Sequence, residues 1–164
     1  MVQRVKPSES KESSKSGKVI CVDLQGICFT RCKYVRSNSK DMDPVANTIF
    51  IQGDFTELSI YEKLLGLVDK EPIDVVISDM APNISGDRIV DQHRAMYLAE
   101  LALDAAKNML KPGGNFVVKL FQGEGFDEFV KLARTLFSNL SIRKPPASKP
   151  SSRETYLVAK GFKG

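Results

Sequence analysis

Histidine occurs once in the 164 residues and cysteine three times, and no apolar run approaches the length of a membrane span. Cys21, Cys28 and Cys32 have only His93 to join them, so four metal ligands at knuckle-like spacing are not present. No metal is expected, a redox or zinc protein ranks last, and free thiols suit a reducing compartment. The stretch Met1–Gly17 lacks the apolar centre of a secretory signal, and Glu9 and Glu12 argue against a mitochondrial presequence. A disordered leader is expected there, with a cytoplasmic location and the mitochondrion as the alternative. Gly123-Glu-Gly125 lacks the third glycine of a dinucleotide-binding turn, and Glu124 would repel a pyrophosphate.

What remains is an ordinary globular composition. The hydrophobic fraction of 42% and charged fraction of 27% suit one compact domain, and the net charge of +4 favours a phosphate backbone without demonstrating one. Lys18–Leu24 is a β-branched run that predicts a buried strand, and Gln25–Asp41 has no period and reads as an irregular insertion. Thr48–Gln52 predicts a second strand and Glu57–Val68 a helix. Ile73–Ser78 predicts a strand, Arg88–Leu110 a long helix closed by Lys111-Pro-Gly-Gly114, Asn115–Leu120 a strand and Gly125–Phe137 a helix. Ser141–Arg143 and Thr155–Ala159 read as a closing pair of strands around a Pro- and Ser-rich loop.

Strands alternating with helices imply an α/β fold with a mostly parallel sheet covered on both faces, and the terminal pair implies an antiparallel edge. In such a sheet ligands bind beyond the carboxyl ends of the strands. Those ends carry Asp23, Asp54, Asp79 and Lys119, three acids and a lysine from four separate elements. Each alone could be a solvated turn residue, and together they form a constellation.

The stretch Ser78-Asp-Met-Ala-Pro-Asn-Ile-Ser-Gly86, followed by Asp91-Gln-His-Arg-Ala-Met-Tyr-Leu98, resembles the FtsJ/RrmJ (RlmE)-type ribosomal RNA large-subunit 2′-O-ribose methyltransferases. Lys111–Lys119, Phe121–Asp127, Lys144-Pro145 and Ser152-Arg-Glu-Thr-Tyr156 agree with it, and the likeness runs nearly without gaps from about Met42 to the C-terminus. The resemblance implies a Rossmann-like class I methyltransferase fold of seven strands. It implies S-adenosyl-L-methionine as cofactor and a uridine ribose of large-subunit ribosomal RNA as substrate, with a monomer acting away from membranes and DNA. The family's Lys-Asp-Lys-Glu tetrad would place catalytic roles on Asp79, Lys119 and Glu154, while its first lysine matches no residue here. Cofactor contacts would fall on Asp23 for the ribose hydroxyls, on Asp54 beside the adenine and on Asp79.

The sequence also departs from that pattern. The Gly-rich turn that follows the family's first strand is missing, so Val19–Leu24 matches the second strand and the first, central strand has no counterpart. An alternative register takes Val19–Gly26 as a decayed first strand and loop. Under either register the cofactor site is compromised, so a catalytically impaired member that keeps only RNA-side binding is the rival reading.

Chemically, transfer to a hydroxyl needs an oxygen held in line with a sulfonium carbon and a route for its proton. Lys119 could instead be a strand-end lysine reaching solvent, and Glu154 a surface partner of Arg153 or Arg143. His93 reads as helix packing or a cap for the Asp79 loop. Arg88, Arg94, Arg143, Lys144, Lys149 and Arg153 would contact RNA phosphates if they share a face.

Overall fold

A computed structural model describes residues 19–23, 48–68, 72–146, 148–149 and 151–164, which form two compact units, Met1–Phe55 and Thr56–Gly164. The expected leader 1–17 and insertion 25–41 lie outside the described residues.

In the first unit β1 (Val19–Asp23) and β2 (Thr48–Gln52) pair in parallel, with Val19 opposite Thr48 and Asp23 opposite Gln52. Both runs therefore end at the same level, with Asp23 closing one strand and Asp54 lying just past the other.

The second unit follows the order α1 (Leu58–Val68), β3 (Ile73–Ser78), α2 (Arg88–Met109), β4 (Leu110–Phe121), α3 (Phe126–Leu136), β5 (Phe137–Arg143) and β6 (Glu154–Phe162). Its four-stranded sheet has the order β3-β4-β6-β5. β3 and β4 are parallel, and β6 is antiparallel to both β4 and β5. Three strands thus share a direction, and the reversed C-terminal strand lies between β4 and β5 with β5 at the edge. Six strands occur among the described residues, against the seven that the resemblance implies.

Period-two burial explains the layering. Phe116, Val118 and Leu120 of β4 and Leu157 and Ala159 of β6 point to one face, where α2 and α3 cover them. Small residues let α2 approach closely: Ala95, Ala99, Ala102 and Ala106 recur at helical spacing and are all buried. Phe137 joins the layers, its ring 6.0 Å from Phe116 and 5.4 Å from Phe162. The other face carries Val117, Lys119, Phe121, Tyr156 and Val158, all half-buried. Helices cover one face of this sheet among the described residues, not the two expected.

Lys111-Pro-Gly-Gly114 does not separate helix from strand. Leu110 already pairs with Ile73, and the ladder resumes at Val75 opposite Asn115, so the four residues bulge out of β4. Gly113 permits the bulge with a φ of 82°.

Candidate active site

The register of β3, β4 and β6 assembles the site. Ser78 lies opposite Val118, so Asp79 leaves β3 level with Lys119. Across the antiparallel pair Lys119 faces Tyr156 and Phe121 faces Glu154. Residues two apart on a strand share a face, so Lys119, Tyr156 and Glu154 project from the sheet on the side away from α2 and α3.

Lys119 is the hub of one pair. Its Nζ lies 2.8 Å from Asp79 Oδ1 and donates to the Asp79 carbonyl at 3.2 Å. The lysine side chain is only 12% exposed whereas Asp79 is 48% exposed, so the ammonium is held rather than trailing into solvent. Tyr156 links the acids: its hydroxyl donates to Asp79 Oδ1 at 2.9 Å and reaches Glu154 Oε1 at 3.4 Å. One hydroxyl has one proton, so the two carboxylates compete for it. Burial, then the bond to Asp79 and the charges of both acids, push the Tyr156 phenol well above its ordinary range. It is therefore a neutral donor at any physiological pH.

Asp79, Lys119 and Glu154 are thus brought together from three elements, with Glu154 reached through Tyr156. Asp23 and Asp54 belong to the other unit, at the carboxyl ends of adjacent strands. Tyr156 was missed by sequence reasoning, although its position two residues after Glu154 in an alternating strand was a usable signal.

The loop carrying Asp79 is tied to the first turn of α2. Asp87 caps that helix by accepting from the Ile89 and Val90 N–H groups. Asp91 then reaches back and accepts from Ser85 N and Ser85 Oγ, each at 2.8 Å, and from Gly86 N at 3.2 Å. The Ser85 bonds, foremost the backbone one, hold its carboxyl below the ordinary carboxylate value. His93 takes no part in this: its side chain is 62% exposed and stands 3.9 Å from Glu124 Oε2. The expected packing or capping role for His93 is therefore corrected, since Asp91 performs the tether.

One further cation shares the Lys119 row, and two more lie on the segment leading to Glu154. Arg143 lies opposite Tyr156, which places Arg143, Tyr156 and Lys119 in one row across three strands. Arg153 precedes Glu154 and donates to the Gln122 carbonyl at 3.4 Å, and Lys144 donates to the Ser152 carbonyl at 2.7 Å. Among the described residues no cluster of His, Cys, Asp or Glu could hold a metal, and no helix is long and apolar enough to cross a membrane.

The fold is a Rossmann-like α/β domain, and Asp79 and Lys119 put the candidate site at the carboxyl ends of its parallel strands β3 and β4. The family is narrower. The chain belongs to the FtsJ-like methyltransferases, whose family model matches residues 1–162. It is 52% identical over 134 residues to the ribosomal RNA large subunit methyltransferase E of Pseudomonas paraeruginosa, covering 82% of this chain and 65% of that protein. To the protein of the same name from Marinobacter nauticus it is 54% identical over 131 residues, 80% of this chain and 63% of the relative. The chain therefore spans about 65% of the length of such relatives. A solved structure of a ribosomal RNA methyltransferase from Plasmodium falciparum superposes with a TM-score of 0.62 at 29% identity, over 76% of this chain and 69% of that one.

Proposed function

We propose that this chain transfers a methyl group from S-adenosyl-L-methionine to the ribose 2′-hydroxyl of a uridine in large-subunit ribosomal RNA, acting as a monomer in the cytoplasm. The observation that carries the proposal is the Lys119–Asp79–Tyr156–Glu154 cluster, built from three elements of an FtsJ-like chain.

The cofactor fits in part. Asp23 and Asp54 leave neighbouring parallel strands at the same end, which suits acceptors for ribose hydroxyls and for the adenine amino group. The glycine turn that would meet the methionine end has no counterpart in the sequence. When bound, the cofactor supplies an electrophilic methyl group on sulfur.

The chain's own groups handle the hydroxyl. An ammonium has three N–H donors, and two of those on Lys119 serve Asp79 Oδ1 and the Asp79 carbonyl. The third is available to the substrate oxygen, and so orients a lone pair along the line of attack. As an oxygen–methyl bond replaced the methyl–sulfur bond, whose electron pair would stay on sulfur, the hydroxyl proton would pass to the Asp79 carboxylate and from there to water. Tyr156 keeps Asp79 and Glu154 in place and supplies no charge. Arg143, in the same row, suits a phosphate flanking the target ribose, and the 2′-hydroxyl itself distinguishes RNA from DNA.

Calorimetry with S-adenosyl-L-methionine, followed by methyl incorporation into large subunits lacking the modification, tests the proposal. Binding with turnover that vanishes in Lys119→Met is expected. Absence of binding or turnover by the chain refutes it, and RNA binding without turnover leaves the impaired family member as the answer.

A further inference from the structure

Gln92 plays no part in the chemistry described so far, yet it is one of two buried polar side chains among the described residues, at 5% exposure beside Thr155 at 3%. Its Nε2 donates to two backbone carbonyls, Phe121 at 3.1 Å and Glu124 at 2.9 Å. Two acceptors on one side settle the orientation of the amide, because an amide oxygen cannot face carbonyls. Oε1 is left buried with no hydrogen-bond partner among the described residues.

A buried acceptor without a donor costs stability, and a methionine of similar shape would remove that cost. The backbone is nevertheless formed around this amide. A Cβ on Gly123 would come within 2.8 Å of Gln92 Cδ and Oε1, and Gly123 has a φ of 153°. A polar group buried at a cost, with both its hydrogen bonds on the backbone that follows Lys119, points to placement rather than core filling.

What it places follows from its neighbours. Asp91 tethers Ser85 and Gly86, the far end of the loop that begins at Asp79. Gln92 tethers Phe121 and Glu124, the end of the strand that carries Lys119, and Phe121 is the register partner of Glu154. Consecutive residues of α2 therefore hold the two backbone segments whose side chains must meet.

We propose that Gln92 is a positioning residue for methyl transfer: by suspending the Phe121 and Glu124 carbonyls from α2, it sets the height of Lys119 and Glu154 against Asp79. The role rests on the transfer reaction proposed above. It needs no contact between Gln92 and substrate.

Gln92→Met preserves length and helix preference while deleting both donors and the unpartnered acceptor. The expected result is a kcat lower by roughly 10- to 100-fold, the range a displacement of about 1 Å can produce, with KM and thermal midpoint unchanged. Gln92→Glu adds a signature that a purely structural role lacks. A protonated carboxyl can donate to one of the carbonyls and a carboxylate to neither, so its kcat relative to wild type falls as pH rises. Wild-type kcat in Gln92→Met, or a loss in step with the thermal midpoint, overturns the proposal. If that variant does not fold, a pH-independent kcat ratio for Gln92→Glu overturns it.

Absence of turnover in wild type refutes the reaction and not the placement. The placement is then read from crystal structures of wild type and Gln92→Met. A Lys119 Nζ–Asp79 Oδ1 separation longer in the variant than the 2.8 Å of wild type is expected, and an unchanged separation overturns the proposal.

Discussion

Removing Asp79 and removing Lys119 are expected to have unequal effects on stability, although either change is expected to abolish the proposed methyl transfer. The Lys119 side chain is 12% exposed and Asp79 is 48% exposed, so one partner is largely withdrawn from water and the other is not. Asp79→Ala strands a mostly buried ammonium with only the residue-79 carbonyl as acceptor. Breaking a fully buried pair from one side costs about 3–5 kcal/mol, and the exposure of Asp79 lowers the expectation here to about 2–3 kcal/mol. Lys119→Met instead leaves a half-exposed carboxylate that water solvates and that Tyr156 still bonds, and it fills the lysine's channel with apolar atoms. Its expected cost is below about 1 kcal/mol. The double variant should regain most of the Asp79→Ala loss, because the stranded charge has gone. Urea titrations with a common slope measure all three. A Lys119→Met loss equal to or greater than that of Asp79→Ala would refute the reasoning, and so would simple addition in the double variant.

Two further expectations follow from the titrating groups around the site. Because the folded state holds the Tyr156 proton above the ordinary value of 10.0, stability is fully present below that pH and falls as pH rises past it, where the unfolded chain releases the proton first. Tyr156→Phe should therefore flatten the alkaline limb of the urea-midpoint profile, and a limb of unchanged steepness would count against the hydroxyl bridge. Asp91 has the opposite sign. Its folded value lies below 3.8, so its contribution is present above that pH and disappears on acidification through the lowered value. Asp91→Asn should be less stable than wild type at neutral pH and converge with it in strong acid, as thermal midpoints across the acid range will report.

Much of this site could be read from strand ends because the pattern that makes a parallel strand also says where it stops. Val-Val-Ile before Ser78 and Phe-Val-Val before Lys119 have the apolar pattern of parallel strands, although Val75 and Ile77 are exposed among the described residues, and the first polar residues beyond such runs mark the ligand side. The α2 tethers were not legible in the same way. A helix turns about 100° per residue, so Asp91, Gln92 and His93 point in three directions, and no sequence rule says which one faces the sheet. The conspicuous His93 faces solvent, while the inconspicuous Gln92 is buried. Lys111–Gly114 misled for a different reason. Pro and Gly commonly end helices, but here the strand pairing of Leu110 with Ile73 begins before them, and tertiary pairing overrides the local stop.

The cluster is also divided mechanically. Lys119, Tyr156 and Glu154 stand on a continuous antiparallel ladder from Asn115–Lys160 to Phe121–Glu154, backed by the core of Phe116, Leu120 and Leu157. Their relative positions are as stiff as the sheet. Asp79 stands on an exposed loop whose far end is held by the Asp91 side chain, an attachment weaker than a strand ladder. If the site binds substrate as proposed, adjustment is expected on the Asp79 side, with the Lys119–Asp79 distance as its coordinate. Both sides are referred to one turn of α2, which is why a change there can alter that distance while leaving every charged group of the site in the sequence.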